Sequence, residues 1–205
     1  MVDDAVGVLD ELGIEQAHWV GASMGGMIAQ IAAAEYPARV LSLASIMSNT
    51  NEPHLPTPNV NVLLHMTGIK GNKVVDVESA VKNRLNLWGL ISGGVYSNTP
   101  EFVAERAEAN FLRSYRPQGS SRHSMAIMAT GGFAKRLKKI TAPTVIIHGN
   151  KDPLLPVAGG LDSVKAIPGA KMKIIDGMGH ELPEAVCPYI VELICENIAT
   201  AETSL

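Results

Sequence analysis

Three residues far apart along the chain, Ser23, Asp152 and His180, are of the types that nucleophilic catalysis requires. A serine hydroxyl is a poor nucleophile near neutral pH, so it needs a histidine to take its proton and a carboxylate to orient that histidine. Ser23 stands in Gly21-Ala22-Ser23-Met24-Gly25, a G-x-S-x-G segment whose small neighbours permit a sharp, strained turn between a strand and a helix. A serine so placed lies at a helix N-terminus. There the unpaired N–H groups and the positive end of the macrodipole favour a developing oxyanion, and the N–H of Met24 is the natural first donor. The competing reading is a serine that only caps the helix. A dinucleotide-binding loop is excluded, because GASMGG lacks the G-x-G-x-x-G spacing.

The partners of Ser23 are sought later in the chain. Asp152 lies in Gly149-Asn150-Lys151-Asp152-Pro153, a turn following the apolar run TVIIH, and is read as the orienting carboxylate. A plain Asp-Pro turn is the alternative. His180 closes Asp176-Gly177-Met178-Gly179-His180 after the run KMKII, where glycines allow a loop tip to carry an imidazole over a sheet edge; it is read as the base. Asp176 and Glu181 compete as carboxylates but are too close in sequence to His180 to reach its far nitrogen. His148, at a strand end, reads as a packed or hydrogen-bonding residue. His18, His54, His65 and His123 show no metal-ligand spacing, so no metal and no cofactor are assigned. The order Ser, Asp, His, each after a different predicted strand, is that of a hydrolase built on a parallel sheet.

The elements that must position these residues follow from periodicity. Residues 2–12 place Val2, Ala5, Val6, Leu9 and Leu12 at helical spacing and end at Gly13. AHWVGA then predicts a strand, and MGGMIAQIAAAEY a helix stopped by Pro37. Residues 40–47, 144–148 and 171–175 are short, branched, apolar runs suited to strands buried in a parallel sheet, and residues 157–167 and 184–199 read as helices between or after them. This alternation predicts a layered α/β fold with right-handed crossovers. Residues 1–48 and 140–205 would form its core. Residues 49–139 break the pattern with a proline-rich stretch and helical segments such as SAVKNRLNLWGL and FVAERAEANFL, and read as a helical insertion. Such an insertion either caps the carboxyl ends of the strands and encloses a ligand, or forms a plain helical subdomain.

Composition narrows the function classes. With 205 residues, 46% of them hydrophobic, the chain can bury a sizeable core. A net charge of -3 with 18% charged residues provides no basic field for nucleic acid. No apolar run reaches the length of a membrane span, and acids stand where a secretory signal would carry lysine or arginine, so a cytoplasmic location is expected. Cys187 and Cys195 fall in one predicted helix and cannot bridge each other, which fits a reducing compartment.

The segments GASMGGMIAQ with YPARV, APTVIIHGNKDPLLP and DGMGHELP together resemble the α/β-hydrolase esterases, in particular the aclacinomycin methylesterase type. The resemblance runs through the whole chain, including RSYRPQGSSRHSMAIMAT in the insertion. It implies a serine hydrolase that cleaves carboxylic esters of small apolar substrates through an acyl-serine at Ser23, with Trp88, Leu154 and Leu155 as candidates for the apolar lining. It also implies that the strands present match the last four of the family's sheet, and that the strands and oxyanion-donor loop preceding them in the family have no counterpart here. An unpaired AHWVGA strand would then invite pairing with another chain, giving a homodimer or higher oligomer. The alternative is a catalytically impaired, N-terminally truncated fragment acting as an assembly or non-catalytic module.

Overall fold

The computed structural model describes residues 1–66, 73–96 and 98–203. Helix α1 (Val2–Glu11) opens the chain, and strand β1 (Ala17–Ala22) leads through Ser23 into helix α2 (Met24–Glu35). A short 3-10 turn at Pro37–Arg39, where proline ends the helix, feeds strand β2 (Val40–Ile46). After the insertion come strand β3 (Thr144–Gly149), helix α8 (Ala158–Ala166), strand β4 (Lys171–Ile175) and helix α9 (Cys187–Glu202). The strands make one sheet in the order β1-β2-β3-β4, every neighbouring pair parallel. All four carboxyl ends therefore reach one rim.

Burial explains the sequence patterns. Leu43 of β2 and Ile146 of β3 join one cluster with Met27, Ile31 and Ala33 of α2 and with Phe133, Leu137 and Ile167. Their neighbours Ala44, Ile46, Val145 and Ile147 face the other way, onto Val186, Ile190 and Leu193. A central strand with helices on both faces must be apolar throughout, hence TVIIH. The flanking strands are less protected: β1 exposes half of Val20, and β4 exposes Lys171 and Ile174. Asn197 in α9 ties its face to the sheet by donating from Nδ2 to the carbonyls of Leu43 and Pro143, each at 3.1 Å.

Between β2 and β3 the chain is helical, with α3 (Val60–Met66), α4 (Val77–Ile91), α5 (Pro100–Arg113), α6 (Pro117–Thr130) and α7 (Ala134–Leu137). Caps set where two of these begin, ahead of the apolar periodicity. Asp76 and Ser79 form a reciprocal capping box on α4, while Thr99 accepts from the Phe102 N–H with Pro100 in the first turn of α5. Helix α9 starts three residues later than its periodicity predicts, because Pro183 to Val186 forms a turn closed by the Val186 N–H on the Pro183 carbonyl.

Candidate active site

The first strand-to-helix turn is built by backbone crowding. Ser23 has φ 55° and ψ -121°, a left-handed conformation that is strained for a residue other than glycine. Its N–H donates to the Ile46 carbonyl at 2.9 Å, and its own carbonyl accepts from the N–H groups of Gly26 and Met27. Gly21 is required here because a Cβ on it would strike the carbonyl of Gly25. Gly26 is equally constrained: a Cβ there would lie 2.6 Å from the Cβ of Ser48. By contrast a Cβ on Gly25 would meet nothing within 4 Å, so the last glycine of the sequence motif is not demanded by its surroundings.

The other two side chains arrive from the ends of β3 and β4. Asp152 is buried, and its Oδ1 accepts from the N–H groups of Leu154 (2.9 Å) and Leu155 (2.8 Å), an Asx turn that fixes the carboxylate. Its Oδ2 lies 2.7 Å from Nδ1 of His180, and Nε2 of His180 lies 2.9 Å from Oγ of Ser23. Burial pushes the Asp152 carboxyl upward. Hydrogen bonds from His148 and His180, the His180 charge and the Leu155 N–H outweigh that and hold it below the ordinary aspartate range. An ionised Asp152 can only accept, so the proton between them belongs to Nδ1 of His180. Nε2 then carries a lone pair directed at the Ser23 hydroxyl.

The remaining sequence candidates are placed differently. The N–H of Met24 opens α2 and has no acceptor within the helix ladder; Met24 also lines a cavity of about 300 Å³ with Met27, Ile31, Ile127 and Phe133, to which Ser23, Asp152 and His180 do not contribute. Leu154 and Leu155 meet the site through their backbone N–H groups, and the Leu155 side chain packs against the core. Trp88 sits in α4 with the Arg84 guanidinium 6.0 Å from its ring centre. Asp176 accepts from Asn150 Nδ2 and Glu181 from the Gly93 N–H, so both competing carboxylates are engaged away from the His180 ring.

Two contributions were not read from the sequence, the first being the approach of His148, expected only to pack or hydrogen-bond, to Asp152. His148 is fully buried, with Nε2 2.7 Å from the Leu155 carbonyl and 3.4 Å from Oδ2 of Asp152. The second is a seam between the end of α4 and the His180 loop. The His180 N–H donates to the Ile91 carbonyl at 2.8 Å, and a Cβ on Gly93 would collide with the Gly177 carbonyl. The paired glycines of DGMGH and the SGG after α4 were the available signal. Among the described residues no cluster of His, Cys, Asp or Glu could hold a metal ion, and no helix is long and apolar enough to cross a membrane.

Residues 1–184 match the family model described as the alpha/beta hydrolase fold, and the chain belongs to that family. It is 28% identical to rhodomycin D methylesterase of Streptomyces peucetius, an alignment covering 97% of this chain and 72% of that protein. It is 32% identical to a 2-hydroxy-6-oxononadienedioate/2-hydroxy-6-oxononatrienedioate hydrolase of a Pseudomonas species, covering 86% of this chain and 60% of that protein. Among solved structures, a meta-cleavage product hydrolase of Pseudomonas fluorescens superposes with a TM-score of 0.76 at 24% identity, over 98% of this chain and 71% of that one. The chain thus falls among hydrolases, methylesterases included, and spans about 60% to 72% of the length of these curated relatives.

Proposed function

We propose that the chain is a serine esterase acting on carboxylic esters of small apolar substrates. His180 Nε2 takes the Ser23 proton as Oγ attacks the ester carbonyl carbon, and the tetrahedral oxyanion forms beside the Met24 N–H. His180 then returns the proton to the departing alcohol, leaving an acyl-serine. Water, deprotonated by the same nitrogen, adds to the acyl carbon and releases the acid. Asp152 holds the imidazole in its tautomer throughout. The observation carrying this reading is the unbroken relay of 2.9 Å and 2.7 Å through a nucleophile in a strained turn. The methylesterase relatives favour an ester over other acyl substrates. In the same reading residues 49–139 act as a cap whose α4 end rests on the His180 loop.

A second reading, an impaired hydrolase acting as an assembly module, is favoured by the outer edge of β1, which pairs with no strand among the described residues and leaves Val20 51% exposed. In either case we propose that a second copy of the chain pairs with the β1 edge. Turnover of p-nitrophenyl butyrate above that of Ser23→Ala supports the esterase, and equal rates leave the module. A monomer by light scattering at micromolar concentration would rule out the edge pairing.

A further inference from the structure

His148 occupies a place in β3 that an aliphatic side chain would fill more cheaply. The strand is otherwise TVII and G, every residue of it is buried, and the ring is fully enclosed. Room for it is made by Gly160 of α8, where a Cβ would lie 2.7 Å from Nδ1 and 3.2 Å from Cγ. The two atoms facing Nε2, the Leu155 carbonyl and Oδ2 of Asp152, can only accept while the carboxylate is ionised. Nε2 must therefore carry the hydrogen. Nδ1 is left as a bare lone pair with no partner among the described residues, a cost that a buried aliphatic residue would not bear. The Nε2 hydrogen lies on the Leu155 carbonyl, and Nε2 stands 3.4 Å from the same Oδ2 that receives the His180 Nδ1–H.

We propose that His148 is a positioning residue, whose Nε2–H shares Oδ2 of Asp152 with His180 and limits how much of that carboxylate's charge reaches the base. The inference rests on the esterase reading for its kinetic consequence. Of the other carboxylates close to the loop, Asp176 accepts from Asn150, and Glu181 accepts from the Gly93 N–H through Oε1 while its buried Oε2 has no partner among the described residues. His148 acts through Asp152 because its Nε2 faces Oδ2 of that carboxylate at 3.4 Å. The second oxygen of Asp152 accepts from the N–H groups of Leu154 and Leu155, and His148→Gln keeps a donor for the Leu155 carbonyl.

Two amide variants separate this role from simple packing. Gln reaches the position of Nε2 and can donate to Oδ2, whereas Asn ends near Nδ1 and cannot. His148→Asn should move the acid limb of kcat/KM for p-nitrophenyl butyrate upward, and should displace the NMR signals of the His180 ring from those of the unchanged protein. His148→Gln should leave both where the unchanged protein has them. Equal behaviour of the two variants, or a limb that stays or moves down in His148→Asn, would overturn the proposal. If neither variant folds, the ring nitrogens of the unchanged protein decide: a protonated Nε2 in the 15N spectrum supports the role, and a protonated Nδ1 removes the donor and the role with it. Hydrolysis persisting in Ser23→Ala would refute the esterase reading alone, since the His180 ring signals do not depend on turnover.

Discussion

The rim of the sheet and the helical insertion above it are held by opposite means. At the rim, position is imposed by backbone: a left-handed serine, glycines that admit no Cβ, and a carboxylate pinned by two N–H groups. In the insertion, α6 buries no residue, and α4 buries only Ile91, so its helices rest on a few anchors. Asn51, itself at φ 54°, holds the end of α6 by donating from Nδ2 to the carbonyls of Ile127 and Gly131. Glu52 accepts from the Ala134 N–H at 3.0 Å. Chemistry tolerates little displacement, whereas an insertion acting as the proposed cap must move to admit substrate. The seam at Gly93 and Gly179 is where the two regimes touch.

Changes at the rim should be severe in rate and mild in stability. Asp152→Asn should lower kcat by a factor on the order of 10⁴, because the neutral amide no longer fixes the His180 tautomer. The same variant has a signature in acid. A carboxylate whose native value lies below its unfolded one stabilises the fold above the unfolded value, and that contribution is lost as pH falls through the native one. The melting temperature of Asp152→Asn should therefore fall less between neutral pH and the acid range than that of the unchanged protein, as calorimetry would record.

Gly93→Ala tests whether the seam transmits position from insertion to rim. The added methyl collides with the Gly177 and Gly179 backbone, so the His180 loop must shift, and kcat should drop by on the order of 10²-fold with KM less affected. A variant with unchanged kcat would mean that the two regions are mechanically independent. Asn51→Gly keeps the left-handed backbone and removes both bonds to α6, which should cost about 1–2 kcal/mol in denaturant unfolding while kcat changes less than 10-fold. The smallest effect needs no substitution. Amides of α6 should exchange with deuterium well before those of β3, and equal protection would erase the contrast.

The same contrast governs what the sequence discloses. Ser23, Asp152 and His180 were legible because few residue types can perform each role and each follows a strand whose buried, branched run is unmistakable. The central strands β2 and β3 were legible for the same reason. Leu154 and Leu155 also meet the site through their backbone N–H groups, which no side-chain pattern reveals. The partnership of His148 with Asp152 depends on a loop folding back to place Leu155 beside the ring. The starts of α4 and α5 depended on Asp76 and Thr99, cap residues outside the apolar repeat.

The central claim is that the Ser23 hydroxyl is the group activated by this relay. Treating the protein with diethyl p-nitrophenyl phosphate, which transfers a phosphoryl group to an activated serine, and locating the adduct by peptide mass spectrometry addresses it directly. The account predicts a single diethylphosphoryl group on Ser23, absent from Ser23→Ala and formed far more slowly in Asp152→Asn. An unmodified Ser23, or labelling that ignores the loss of Asp152, would contradict it.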